Sequence, residues 1–276
     1  MLFFINFDTQ RVTLDNLIRE FIFLLNMSGA GTGYDLSSTT YNPEGKVYQV
    51  EYAMKAAESG GSIIGLKCKD GIVIGGERNV LSKMLVQHSN KCIFGITKNI
   101  GAVVTGVIPD GKAVISRARQ EATQYAEFYG KDIGSTVLAD RVAQYMYLFT
   151  LYGGLRPFGC SIIMAGIDDG TPKLFLIEPS GAYFEYFACA SGKGNQVCKT
   201  EIDKLNLSEL TCREAVYHIH KMLVKSREEG QEKRYEVDIS WMNSETNFFL
   251  VPVPVEFKDE MERKAKDDIE SEERGD

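Results

Sequence analysis

Short apolar runs occur in turn-linked pairs in this sequence, and pairs of helical segments separate those runs. The first pair, 62–68 and 72–76, flanks Lys69-Asp70-Gly71, and Asp-Gly between β-branched runs predicts a hairpin turn. A helix over 47–57, ended by Gly60-Gly61, precedes this hairpin. The elements predicted after it are strands 92–97 and 102–107, helices 110–129 and 139–152, strands 161–167, 174–178 and 183–188, helices 195–205 and 211–225, and strands 235–241 and 248–251.

This order of elements predicts an α+β fold with antiparallel sheets rather than a chain of βαβ units. Two sheets stacked face to face, with a helix pair on each outer side, would bury every apolar face. We expect Asp110 to cap the helix that starts there, and Thr211 with Glu214 to form a capping box at a later helix. No internal linker divides the chain, which predicts one domain.

The net charge of −7 is concentrated at the end of the chain. Residues 256–276 contain ten acids and five bases, so this segment alone carries −5. Such a balance argues against a nucleic-acid binder held by phosphate contacts. We interpret 253–276 as an acidic helical tail, either a solvated arm or a docking site, and a charge run of this kind favours the solvated arm.

The sequence contains no pattern typical of a metal or cofactor site. Six cysteines, at 68, 92, 160, 189, 198 and 212, include no CxxC pair, and His218 and His220 are spaced to point to different sides of a helix. No GxGxxG follows a strand, and no GxxxxGK[ST] is present. We therefore expect no cofactor and no metal, and reduced cysteines packed as small hydrophobes in a cytoplasmic or nuclear protein.

Residues 1–26 are the most apolar stretch of the chain, but five charged residues interrupt it. No run approaches the roughly 18 residues of a membrane span, and the features of a signal peptide are missing. Composition changes abruptly at Met27. We expect 1–26 to be a non-native or disordered extension that the mature subunit lacks, with synthesis starting at Met27; an amphipathic plug is the alternative. The main domain is then 27–252.

The segment Asn42-Pro43-Glu44-Gly45-Lys46-Val47-Tyr48-Gln49-Val50-Glu51-Tyr52-Ala53-Met54-Lys55-Ala56 resembles the N-terminal signature of proteasome alpha subunits. Tyr34-Asp35, Ile108-Pro109-Asp110-Gly111 and Leu155-Arg156-Pro157-Phe158-Gly159 also stand where that family has them. The resemblance runs from Gly31 to about Asn247, and its details are most similar to the seventh eukaryotic alpha type.

The resemblance implies the four-layer αββα sandwich of the N-terminal-nucleophile hydrolases, and it raises the question of catalysis. Related beta subunits use an N-terminal threonine, whose own amine is the base, with a nearby acid and lysine. Counted from the hairpin turn, these three positions fall on Gly61, Glu77 and Cys92. We therefore expect a noncatalytic subunit. The alternatives are an active N-terminal-nucleophile amidohydrolase or beta-type threonine protease subunit, and a stand-alone α+β binding module.

The resemblance also implies roles in assembly and gating. The tail 31–41 would close over the axial pore, with gate residues Tyr34, Asp35 and Pro43, and the helix 46–58 would lie on top of the ring. Leu36 departs from the family, which has arginine there. Lys91 matches the lysine of the pocket that receives the C-terminal tails of activators.

The partners implied are six other alpha subunits in a heteroheptameric ring, the beta ring, and a regulatory particle or other activators. The particle would degrade unfolded, ubiquitin-targeted proteins. No nucleic-acid or membrane partner is expected.

Overall fold

A computed structural model describes residues 33–80, 82, 84–86, 89–227 and 235–274. The expected extension over 1–26 and the first two residues of the tail 31–41 lie outside the described residues. The helices in the described ranges are α1 Tyr48–Glu58, α2 Ile108–Tyr129, α3 Ser135–Leu151, α4 Asn195–Ile202, α5 Cys212–Lys225 and α6 Val255–Arg274. The strands are β1 Ile63–Cys68, β2 Gly71–Asn79, β3 Ile93–Gly95, β4 Ile100–Gly106, β5 Cys160–Asp168, β6 Thr171–Ile177, β7 Tyr183–Glu185, β8 Ala188–Ser191, β9 Tyr235–Asn243 and β10 Val251–Pro252.

The strands form two five-stranded antiparallel sheets. Sheet A has the order β10-β9-β2-β1-β8, and sheet B has the order β3-β4-β5-β6-β7. The β1–β2 hairpin closes with Cys68 opposite Gly71, so the Asp-Gly turn is where the sequence predicts it. Asp70 has a second role that the sequence does not reveal, because its carboxylate accepts a hydrogen bond of 2.8 Å from the backbone N–H of Cys212 at the start of α5.

Three buried clusters occupy the three spaces between four layers. One joins α2 and α3 to sheet B, and a second lies between the two sheets. The third joins α4 and α5 to sheet A. Apolar faces are thus buried on both sides of each sheet, which confirms the predicted α+β, four-layer αββα sandwich.

Predictions for two helix starts were wrong, and in both cases a residue distant in sequence takes part in the contacts observed there. Helix α2 begins at Ile108, so Asp110 lies in its first turn and is not its N-cap. The Asp110 carboxylate accepts bonds from Arg156 (2.8 Å) and from the backbone N–H of Gly159 (2.9 Å). The hydrogen bond from Arg156 is the main reason why the pKa of Asp110 is lowered. The predicted capping role for Asp110 is therefore wrong.

Helix α3 begins at Ser135 instead of the predicted Ala139. Asp168, at the end of β5, accepts hydrogen bonds from the backbone N–H groups of Ser135 (2.7 Å) and Thr136 (3.2 Å). A carboxylate at this end satisfies N–H groups that lack partners within the helix. The capping box of Thr211 and Glu214 at α5 is confirmed.

The C-terminal helix α6 packs against α5, so the preferred interpretation of 253–276 as a solvated arm is wrong. Its buried side carries the four residues Phe257, Met261, Ala265 and Ile269, the first two of which join the sheet A cluster. Their spacing of four residues places them on one face of the helix, and this apolar pattern is present in the sequence among the charged residues.

Polar contacts with α5 extend this docking of α6. The hydroxyl of Tyr217 donates to Asp268 (2.5 Å), and Lys225 pairs with Glu272 (2.9 Å). Lys221 also pairs with Glu272, and these two lysines lower the pKa of Glu272 to about 2.

All six cysteines are buried thiols. The described residues contain no group of His, Cys, Asp and Glu arranged to hold a metal ion. In the same ranges, no helix combines the length and the apolar character that crossing a bilayer requires.

His220 is buried in α5 on the side that faces α6. Its exposed fraction is 1%, and both ring nitrogens lack a hydrogen-bond partner among the described residues. Burial lowers the pKa of His220 to about 4 from its ordinary value of 6.5. The unfolded chain therefore takes up a proton as the pH falls below 6.5, whereas the folded chain does so only near pH 4. This difference lowers the free energy of unfolding over that pH range by about 3 kcal/mol.

We predict that His220→Leu raises the free energy of unfolding by about 1–2 kcal/mol at pH 7, because it removes two unsatisfied buried nitrogens. The loss of stability between pH 6.5 and 4 should become smaller. Urea unfolding of the full chain at pH 7 and pH 5 measures both effects. His218→Leu, at a half-buried position of the same helix, is the control and should change the pH dependence less. An unchanged pH dependence in His220→Leu would contradict this account.

Candidate functional site

Gly61, the position that matches the catalytic threonine of beta subunits, has no space for a side chain. A Cβ atom added to Gly61 would lie 2.1 Å from the carbonyl oxygen of Glu77. The carbonyl of Gly61 accepts a hydrogen bond of 2.5 Å from the hydroxyl of Thr105, and the carbonyl of Gly60 accepts one of 2.9 Å from the N–H of Lys193. Both peptide groups are therefore fixed in a continuous chain that follows α1. The site has neither a nucleophile nor a free amine to act as its base.

The other two positions of the catalytic pattern are occupied by groups with structural roles. Glu77 is buried on β2 and pairs with Arg227 at 2.7 Å. Burial raises the pKa of Glu77, and Arg227 offsets part of that rise. Cys92 is also buried, and burial raises the pKa of its thiol to about 12. A neutral thiol thus stands where an active subunit requires a cationic lysine.

Two of the predicted gate residues, Tyr34 and Asp35, lie in a segment whose backbone is held while most of its side chains are at least partly exposed. We call the described residues 33–41 the gate segment. The side chains of Tyr34, Leu36 and Tyr41 are exposed. The carbonyl of Asp35, by contrast, accepts a hydrogen bond from the side-chain amide of Gln49 on α1. The side chains thus remain available for contacts with other molecules.

The turn that follows the gate segment depends on Asn42 as well as on the predicted Pro43 and Gly45. The Asn42 side-chain oxygen accepts hydrogen bonds from the N–H groups of Glu44 (3.1 Å) and Lys46 (2.7 Å). Gly45 has φ +79°, a left-handed conformation that suits glycine. Pro43 is exposed in this turn. Asparagine before Pro-x-Gly is itself a turn signal, so this role could have been predicted.

Lys91 is exposed and lines a cavity of about 420 Å³ at the edge of the sandwich. The cavity lies between β3, β9, β10 and the start of α6, and its lining contains none of the gate residues. A second lysine, Lys258, also lines it, and Asp238 in its wall is paired with Arg78 at 2.8 Å. The other lining residues are Ile93, Gly95, Ile239, Ser240, Leu250, Pro252, Val253 and Val255. Apolar walls with two ammonium groups suit a chain end that combines apolar side chains with a carboxylate.

Two family models match adjacent parts of the chain. The N-terminal signature of A-type proteasome subunits matches residues 34–56, and the general model for proteasome subunits matches residues 57–242. The chain belongs to the proteasome subunit family. The signature covers most of the gate segment, the turn and most of α1, while the larger model covers most of both sheets and the helices α2 to α5.

Individual relatives carry alpha-type names. The proteasome alpha type-3 subunit of rice (Oryza sativa subsp. japonica) is 46% identical over 244 residues, which are 88% of this chain and 98% of the relative. The Arabidopsis thaliana protein of the same name is 45% identical over the same shares of both chains. The probable proteasome alpha type-7 subunit of Schizosaccharomyces pombe is 41% identical over 240 residues, 87% of this chain and 94% of the relative.

The alpha signature and these relatives agree with the geometry at position 61. The chain is a noncatalytic alpha subunit of the threonine-protease complex. The alternative of an active N-terminal-nucleophile hydrolase is not favoured, because Gly61 leaves no space for a nucleophile.

We predict that Gly61→Thr destabilises the chain without creating a protease. The new Cβ must push apart β2 and the segment after α1, which should lower the free energy of unfolding by about 2–4 kcal/mol. Denaturant unfolding of the full chain measures the change. The control is Gly154→Ala, because a Cβ atom there meets nothing within 4 Å. Equal stabilities of the two variants would contradict the steric argument.

Proposed function

We propose that this chain occupies one position in the seven-membered alpha ring of the proteasome core particle, and that its gate segment helps to close the axial pore. Six other alpha subunits would complete the ring, and the beta ring would lie beneath. The observation that carries the proposal is the contrast within the gate segment, where Gln49 holds the backbone and Tyr34 and Leu36 remain exposed. Exposed aromatic and apolar side chains on a held backbone favour contact with another chain.

We also propose that the chain is of the seventh alpha type. Relatives named alpha type-7, in fission yeast and in Saccharomyces cerevisiae, and relatives named alpha type-3, in plants, match it at similar identity. Both names attach to proteins that align with most of this one chain, which supports the inference that they denote one kind of subunit.

Leu36 affects how the gate segment can make its contacts. The alpha family has arginine at this position, but the leucine here donates no side-chain hydrogen bond, and 85% of its surface is exposed. Tyr34 and Asp35 therefore have to supply the polar contacts to neighbouring segments. The side chains of these two residues make no hydrogen bond to any other described residue of this chain, which leaves them available for such contacts.

We predict that Tyr34→Ala or Asp35→Ala leaves assembly intact and raises basal peptide hydrolysis by the core particle. Each lost hydrogen bond contributes about 0.5–1.5 kcal/mol, which corresponds to about a two- to tenfold rise in the open population. A fluorogenic peptide assay on purified particles, without an activator, measures this rate. The matched control is Thr40→Ala, at an exposed position of the same segment. Unchanged basal hydrolysis in both variants would overturn the gating role.

We further propose that the cavity beside Lys91 receives the C-terminal tails of a regulatory particle or another activator. The Lys91 ammonium would pair with the terminal carboxylate, and the apolar walls would hold the preceding side chains. Lys91 is exposed, and no salt bridge between described residues includes it, so it can serve an external anion.

We predict that Lys91→Ala weakens the binding of a carboxylate-ended activator while assembly and the basal rate stay unchanged. The loss should be partial, because several pockets of the ring bind together and avidity masks a change in one of them. A binding titration of assembled particles at low and high salt measures the loss. Lys98→Ala, in the exposed turn between β3 and β4, is the control. Equal affinity of the Lys91 and Lys98 variants at both salt concentrations would contradict the proposal.

In this role the particle would degrade unfolded, ubiquitin-targeted proteins in the cytoplasm and the nucleus. The six buried thiols are compatible with a reducing compartment. The substrate-cleaving sites would belong to beta subunits, because this chain has no nucleophile at the matching position.

A further inference from the structure

The gate segment contains one side chain that points into the protein. Ser38 is 3% exposed, although Leu36 and the residues from Thr39 to Tyr41 are exposed. Its hydroxyl donates to the carbonyl oxygen of Tyr152 at 3.0 Å, and the carbonyl oxygen of Leu155 is a second acceptor at 3.4 Å. These carbonyls belong to the C-cap of α3 and to the turn after it, where helix carbonyls lack partners within the helix.

The turn that receives Ser38 is itself fixed. The N–H of Leu155 donates to the carbonyl of Tyr152 at 3.0 Å, and the following residue, Arg156, pairs with Asp110 of α2. The absence of a side chain at Gly153 gives the segment space, because a Cβ atom there would lie 3.0 Å from the hydroxyl of Ser37. Ser38 is therefore bonded to a rigid corner of the helix layer on sheet B.

Two separate elements thus hold the gate segment. The α3 turn holds it at Ser38, and Gln49 of α1 holds it at Asp35. Tyr34 lies four residues before Ser38, and the Gln49 bond at Asp35 is the other side-chain bond that ties the described part of this segment to the rest of the subunit. Loss of the Ser38 bond would therefore leave the position of Tyr34 dependent on one side-chain bond.

We propose that Ser38 is a positioning residue of the gate, whose hydroxyl fixes the direction in which the gate segment leaves the body of the subunit. The inference rests on the proposed gating function and adds a residue outside the Tyr-Asp pair. Ser38 acts on the gate through Tyr34 and Asp35, and it does not itself contact the pore. Removing its hydroxyl leaves Tyr152 with its bond from Leu155, so the fold should keep its stability while the gate segment loses order.

The test compares core particles that carry Ser38→Ala, Ser37→Ala or Ser38→Thr. Ser37 is the matched control, since among the described residues its hydroxyl bonds only to Thr39 of the same segment. Ser38→Thr keeps the hydroxyl, and a neighbouring open cavity of about 430 Å³, which Ser38 lines, has room for the added methyl group. Hydrogen exchange of the gate segment, basal peptide hydrolysis and the melting temperature are measured for each variant.

We expect Ser38→Ala to raise exchange in the gate segment and basal hydrolysis about threefold each, at an unchanged melting temperature. Ser37→Ala and Ser38→Thr should behave like the unmodified chain. Unchanged exchange in Ser38→Ala would overturn the inference. The inference would also be overturned if Ser38→Ala raised exchange but not hydrolysis while Tyr34→Ala raised hydrolysis in the same assay. If neither Ser38→Ala nor Tyr34→Ala raises hydrolysis but Ser38→Ala raises exchange, the proposed gating function fails. The role of Ser38 in holding the gate segment then stands.

Discussion

The close approach of backbone segments around Gly60, Gly61, Gly106 and Gly159 determines much of this structure. A Cβ atom on Gly60 would lie 2.2 Å from the nitrogen of Gly106, and one on Gly106 would lie 2.4 Å from the carbonyl oxygen of Gly159. Gly106 also has φ +89°, which disfavours other residues. Because no side chains separate these segments, the end of α1 lies directly on the sandwich.

Several features described above lie next to this contact. It places α1 so that Gln49 can reach the gate segment. Beside it, the carbonyl of Glu77 occupies the space that a nucleophile at position 61 would need. The glycine contact also brings the N–H of Val107 within 2.8 Å of the carbonyl of Gly159, which ties the start of α2 to the segment held by Asp110 and Arg156. The end of α1, the start of α2 and the closed position 61 thus lie around the same small volume.

The sequence predicts those parts of the fold that depend on local patterns. The Asp-Gly hairpin, the capping box at Thr211 and the antiparallel α+β order all follow from neighbouring residues, and the structure contains them. The predicted capping role of Asp110 was wrong because Arg156 binds its carboxylate, and the predicted start of α3 was wrong because Asp168 reaches the N–H groups of an earlier turn. The docking of α6 was missed because its charges outnumber the four apolar residues on its inner side. The gate residues and Lys91 are predictions from resemblance, whereas the contact of Ser38 joins residues more than 100 positions apart and no local pattern shows it.

The pairing of the strands has a consequence for synthesis on the ribosome. Sheet B takes all its strands from residues between Ile93 and Glu185, so it can close as soon as that stretch has emerged. Sheet A cannot, because β2 pairs with β9, which is among the last elements to be made. During translation the outer edges of the β1–β2 hairpin therefore stay unpaired until their partner strands have been made. Unpaired edges of this kind are prone to pairing with other chains, and for this subunit that interval ends only when β9 has been made.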